Sequence, residues 1–334
     1  MTPRRVLVPA ALAAASAFVL AGCATTQPGD DSTIAVVAST DVYGQIVEQI
    51  GGDLVAVTSI VSSSSQDPHS FEPSARDQLA VSRAALIVEN GGGYDAFIDA
   101  LIEATGTQAH VITAVEFSHD WPENDGHDDE QGESDDADES AEPDDDHDHD
   151  HDHGDHGHVE GFNEHVWYDP HTMEHVAEAI ADELGELAPE SAAVFTANLE
   201  EFTAGIADLE ASLAEIDAAH AGTEIFVTEP VPLYLTDAAG LVNVAPEAFT
   251  EAVEEGQDVP PATLLDALRL LRDGSVQAVI ANAQTGGAET TEVIDEAGAQ
   301  GIPVVEFTET LPDGQTYLSW MQSNLEALEA ALAG

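Results

Sequence analysis

Runs of β-branched and apolar residues recur along the chain at 33–39, 54–61, 85–89 and 110–115, and again at 224–228, 278–282 and 302–307. Helix-length segments separate them. Strands that alternate with helices predict parallel sheets covered on both faces, here in two sets. Between the sets, Phe195, Leu199, Phe202, Ile206, Leu209, Leu213 and Ile216 recur at alternating spacings of four and three, which lays one apolar stripe along a single helix. Such a stripe must be buried against something. It suits a plain core helix or a rigid backbone joining two α/β lobes, and one helix can be both.

Two stretches break this pattern. At the start, Arg4 and Arg5 precede an apolar run from Val6 to Leu20, followed by Ala21-Gly22-Cys23. The run falls short of the ~20 apolar residues that a spanning helix needs. A charged beginning, a short apolar stretch and small residues form a secretion signal instead. Cys23 is the only cysteine, so it makes no intramolecular disulfide, and it stands where a lipoprotein signal is acylated. We therefore expect 1–22 to be a lipoprotein signal peptide and Cys23 to be a lipid anchor on the extracytoplasmic face of the cell membrane. The small, polar stretch 23–32 then reads as a flexible tether.

The second break, 119–160, has no apolar period and cannot bury enough surface to fold by itself. It is expected to be a disordered acidic insertion in a first lobe spanning 33–188. A linker helix over 189–220 and a second lobe over 221–334 complete the division.

Charge narrows the partners. The formal net charge is −60, from 66 acids against six arginines and no lysine. Phosphate binding requires clustered cations, so nucleic acid is excluded as a partner. A field of this sign also draws cations, but it selects no particular metal.

Within the insertion, His147, His149, His151 and His153 alternate strictly with aspartates, and His156 and His158 follow. Imidazoles are favoured ligands for zinc, copper and nickel. A flexible tract offers no fixed geometry, so it reads as an auxiliary metal collector or sensor, or as a solvated charge run.

A specific site needs convergent ligands on a rigid frame. Asp67-Pro68-His69-Ser70-Phe71-Glu72-Pro73 follows the second strand, where prolines stiffen the loop and present His69 at a strand end. In His165-Val166-Trp167-Tyr168-Asp169-Pro170, Asp169 and Pro170 form an N-cap and first helical position, with His165 just before the helix. Asn282-Ala283-Gln284-Thr285-Gly286-Gly287 also joins a strand to a helix, where backbone amides and polar side chains could contact the site or an anion, although such a turn more often simply caps its helix. His171 and His175 lie four apart on one helix face, but nothing near them completes a coordination set, so they read as surface or packing residues. Zincin, nucleophile-elbow and phosphate-loop motifs are absent from the sequence.

The pair Asp-Pro-His-x-Phe-Glu-Pro and His-x-Trp-x-Asp-Pro, separated by an acidic histidine-rich stretch behind a lipobox, resembles the zinc/manganese solute-binding lipoproteins of ABC importers. The resemblance runs from about residue 33 to the C-terminus. It implies an α/β fold of two (β/α)4 lobes with parallel sheets, joined by a long backbone helix, with metal held in the interlobe cleft. It also implies His69 and His165 as first-lobe ligands, Glu229 after Ile225-Phe226-Val227-Thr228, and Glu309 after Val304-Val305-Glu306-Phe307-Thr308. Glu229 stands where zinc members commonly place histidine and manganese members glutamate. Pro230-Val231-Pro232-Leu233-Tyr234 departs from the family's acidic or glycine-rich turn.

The resemblance implies a monomeric receptor that binds a divalent transition metal, Zn2+ first and Mn2+ as the alternative. It would deliver the ion to an ABC permease in the membrane without catalysing a reaction. The rivals are a secreted zinc hydrolase with Glu72 as base, and a surface adhesin or passive metal buffer working through the tract.

Overall fold

The computed structural model describes residues 33–124, 159 and 161–334. Cys23, the tether and the histidines from His147 to His158 lie outside them. In the first half, β1 (Ile34–Thr40), α1 (Asp41–Gly51), β2 (Val55–Val61), α2 (Ala75–Val81), β3 (Leu86–Glu89), α3 (Phe97–Thr105) and β4 (His110–Thr113) alternate as predicted. Two helices follow, α4 (Pro170–Leu187) and α5 (Ala192–His220). The second half runs β5 (Glu224–Val227), α6 (Leu233–Ala238), β6 (Val242–Asn243), α7 (Glu247–Glu254), α8 (Pro261–Asp273), β7 (Ala278–Asn282), α9 (Ala288–Gln300), β8 (Val304–Phe307) and α10 (Tyr317–Leu332).

Both sheets are wholly parallel, ordered β2-β1-β3-β4 and β6-β5-β7-β8. The repetition of one order is the two-lobed α/β architecture that the sequence implied. In each sheet the order reverses beside the first strand, and ligands of open α/β sheets gather at the carboxyl ends of strands near such a reversal.

The apolar runs lack clean alternation because both faces are buried. Val36 and Ala38 of β1 join a central core while Val37 joins an outer cluster against α3, and Ile225, Phe226 and Val227 of β5 divide in the same way. The central core is continuous from one sheet to the other, and α5 carries it. Phe195, Phe202, Ile206, Leu209, Leu213 and Ile216 are buried in it, with Leu199 half-buried at its edge. At 1.5 Å per residue its 29 residues span about 43 Å. The helix packs on α1 and α4 and, elsewhere along its length, on α6 and α10.

Several boundaries differ from expectation. The fourth run stops at Thr113, and Ala114–Phe117 closes as a 3-10 turn. The two-residue edge strand β6 carries no sequence signal, because Val242 is exposed and the strand is too short for a period. Pro189–Ser191 forms its own turn, so the linker helix begins at Ala192. His119 to Asn124, expected to belong to the insertion, fold onto the body. The Trp121 ring meets Phe162 edge-on at 5.1 Å, and Asn124 Nδ2 donates to the carbonyls of Glu116 and Ser118.

Candidate metal site

His69 belongs to a single 3-10 turn, Pro68–Ser70, in the loop between β2 and α2. Asp67 is extended, as a residue before proline should be, and its carboxylate accepts from His69 N at 2.9 Å and Ser70 Oγ at 2.7 Å. That carboxylate fixes the turn, and with it the imidazole.

His165 lies at the start of the Val166–Tyr168 turn, before Asp169 caps α4 through the amides of His171 and Thr172. The residue is 1% exposed. Its Nδ1 is 2.7 Å from Asn163 Oδ1, which also accepts from its backbone amide. A carboxamide oxygen only accepts, so Nδ1 carries the proton and Nε2 keeps the lone pair that a metal uses.

Asn163 is itself held from the other half. Its Nδ2 donates to the Pro230 carbonyl at 3.1 Å, and its carbonyl accepts from the Tyr234 hydroxyl at 2.8 Å. The proline-rich turn that departs from the family pattern therefore orients His165.

Glu309 follows β8 and is buried at 3% exposure. One ligand atom from each of His69, His165 and Glu309 lies within 4.8 Å of the others. Ligands at 2.0–2.1 Å around tetrahedral zinc stand about 3.3 Å apart, so a small inward movement would complete a three-ligand set.

Glu229, the remaining expected ligand, stands beside this trio and not in it. Its Oε1 accepts from the Thr285 hydroxyl and its Oε2 from Asn282 Nδ2 at 2.9 Å. Asn282 Nδ2 also donates to Glu309 Oε1 at 2.6 Å, so one carboxamide bridges both acids. Gln284 Oε1 accepts from the amides of Glu309 and Thr310. The turn after β7, read from the sequence as a helix cap or as a contact to the site, holds the carboxylates. Tyr94 completes the frame. Its hydroxyl donates to Glu309 Oε2, and its ring meets His69 edge-on at 4.8 Å. The preceding loop is Gly91-Gly92-Gly93 with φ of 80°, 66° and 93°; a Cβ on Gly91 would come within 2.4 Å of Thr113 Cγ2.

Burial pushes the Glu309 carboxyl up from 4.5 to about 7, against the hydrogen bonds of Asn282 and Tyr94 and with the charge of Glu229 adding to the rise. Burial likewise raises Glu229, while Thr285 and Asn282 lower it. Two acids that resist ionising together welcome a cation as counter-charge.

Outside the trio, Glu254 Oε1 stands 3.9 Å from His165 Nδ1, and Glu164, His165 and Glu254 form a second trio around the same imidazole. The adjoining cavity of about 670 Å³ is lined by His69 and by acids including Asp67, Glu254, Asp258 and Glu289. An acidic mouth of this kind attracts cations to the imidazoles.

Comparison with known proteins shows the family and the fold. The family model for ZnuA, described as zinc-uptake complex component A, periplasmic, matches residues 36–331. The chain belongs to this family. The ZnuA-family chain is 27% identical over 187 residues to the manganese-binding lipoprotein MntA of Halalkalibacterium halodurans, covering 55% of this chain and 51% of that protein. It is 24% identical over 324 residues to the zinc-binding lipoprotein AdcA of Streptococcus pneumoniae serotype 4, covering 95% and 59%. It thus matches only 51% and 59% of the lengths of these two relatives. A crystal structure of ZnuA shares the fold, with a TM-score of 0.63 at 22% identity over 90% of this chain and 97% of that one.

Proposed function

We propose that the protein is an extracytoplasmic receptor that captures a divalent transition metal, zinc in the first instance, and delivers it to the permease of an ABC importer. The observation that carries this is the convergence of His69, His165 and Glu309 at strand and helix ends of both halves. The expected act is binding without chemistry. Neutral imidazole nitrogens and the Glu309 carboxylate take the ion, and Glu229 becomes the fourth ligand when Thr285 and Asn282 release it. Cys23 is the lipid anchor that keeps the receptor, as a monomer, at the outer face of the membrane. The histidines from His147 to His158 serve as an auxiliary collector.

Manganese is the second reading, and Glu229 favours it. A set of two imidazoles and two carboxylates suits the harder ion better than a three-histidine set would. A relative named as manganese-binding agrees with that.

Competitive titration with zinc and manganese, with bound metal counted, tests both readings on a chain lacking 125–158. One tight ion per chain, lost in His69→Ala, is the expected result. Zero stoichiometry would sink the receptor reading. Tight binding that disappears with the tract would assign the work to a passive buffer, and ester or peptide turnover abolished by His69→Ala would favour a hydrolase.

A further inference from the structure

α4 and α5 pack side by side, and one solvent-facing place on the pair gathers groups that the cleft does not use. His171 and Glu174 on α4 and Glu210 on α5 each present a ligand atom, and these atoms lie within 4.8 Å of one another. His171 and His175 read from the sequence as surface or packing residues with no coordination set. His171 is at the surface as that reading had it, but the packing of α5 brings up Glu210, 39 positions later in the chain, beside it.

His175 stands one turn beyond His171, with ring centroids 4.8 Å apart. Its Nδ1 lies 3.0 Å from Glu178 Oε2, so that nitrogen donates a proton and Nε2 keeps its lone pair. A carboxylate behind an imidazole is the arrangement that orients histidines toward a metal. Two histidines one helical turn apart also form a spacing that clamps zinc in other proteins.

We propose that His171, His175, Glu174 and Glu210 form a second cation site for zinc on the surface of the α4–α5 pair, independent of the cleft. None of its ligands belongs to the transport trio, so it stands or falls separately from the proposed function. Two imidazoles and two carboxylates supply a ligand set of the kind zinc takes. Exposure of His171 and Glu210, with Glu174 and His175 only half-buried, leaves water in competition, so the site holds its ion more weakly than the buried cleft and exchanges it more readily.

The test counts zinc bound to the full-length chain by equilibrium dialysis, with zinc chloride as the only metal, in the wild type, in His171→Ala/His175→Ala and in Glu210→Gln. The auxiliary tract is identical in all three and cancels. The expected result is that both variants keep the tight ion and bind one ion fewer in a range roughly tenfold or more weaker than the cleft. Zinc-edge anomalous scattering from soaked crystals should place a peak between α4 and α5 in the wild type and none in Glu210→Gln. Equal ion counts in the three proteins, or an empty α4–α5 face in the wild type, would overturn the site. So would loss of the tight ion in Glu210→Gln, because the helices would then be supporting the cleft.

Discussion

The Tyr94 hydroxyl donates to Glu309 Oε2 at 3.2 Å, a hydrogen bond between residues 215 positions apart. Tyr94 comes from the loop after β3 and Glu309 from the loop after β8, so the bond ties the two sheets together at the ligand itself. Asn282 holds the other oxygen of the same carboxylate at 2.6 Å. Glu309 is thus fixed from both halves before any ion arrives, and an ion that binds gains a ligand already in position.

Tyr94→Phe keeps the ring against His69 and removes only the donor. A hydrogen bond to a charged group contributes about 1.5–3 kcal/mol, and part of that is regained from water. Zinc affinity should fall by roughly 3- to 10-fold, measured by competition with a chelator. Unchanged affinity would mean that the bond does not preorganise the ligand.

Asn282→Ala should cost more, because one carboxamide serves both Glu229 and Glu309. Loss of a partner that orients a ligand lowers metal affinity by about 10–100-fold. The check is the same titration, alongside a thermal melt of the metal-free protein to show that the fold persists. A drop confined to stability would make Asn282 a packing residue.

What the sequence disclosed and what it hid follow from distance along the chain. His69 and His165 were legible because each sits in a short motif whose prolines and acid fix the local backbone. Glu309 was reached by resemblance to a family. Tyr94 and Asn163 were invisible as site residues, since each acts on a partner brought near only by packing of the sheets: 215 positions for Tyr94 and Glu309, 67 for Asn163 and Pro230. Asn282 was legible as part of a turn able to touch the site, but its hold on Glu229, 53 positions away, was not. The long helix was legible because its stripe repeats. The edge strand β6 was not, because two residues hold no period.

Phe202→Ala tests whether that helix joins the halves energetically. Phe202 is fully buried, and its ring lies 5.9 Å from that of Tyr317 at the start of α10. Truncating a buried phenylalanine costs about 3–5 kcal/mol. Because the central core is continuous, denaturant unfolding should shift as one transition when followed by probes in both halves. Two transitions, with only one displaced, would show that the halves unfold separately.

The pH dependence has a definite sign. Burial raises Glu309 from 4.5 to about 7, so between those values the metal-free folded chain holds a proton that the unfolded chain has released. More protons in the folded state mean that this group's contribution falls as pH rises through that window and is level above it. The metal-loaded protein behaves in the opposite way. The ion takes the place of the proton, and the imidazoles must also be neutral to bind it, so affinity rises over the same range. The gap in Tm between zinc-loaded and metal-free protein should therefore widen from about pH 5 to about pH 7.5, read by calorimetry with zinc or with chelator. Glu309→Gln removes the titrating group, and the metal-free melt should then flatten across the window while zinc stabilises less. A gap that stays constant with pH in the wild type would show that Glu309 is already ionised in the metal-free protein.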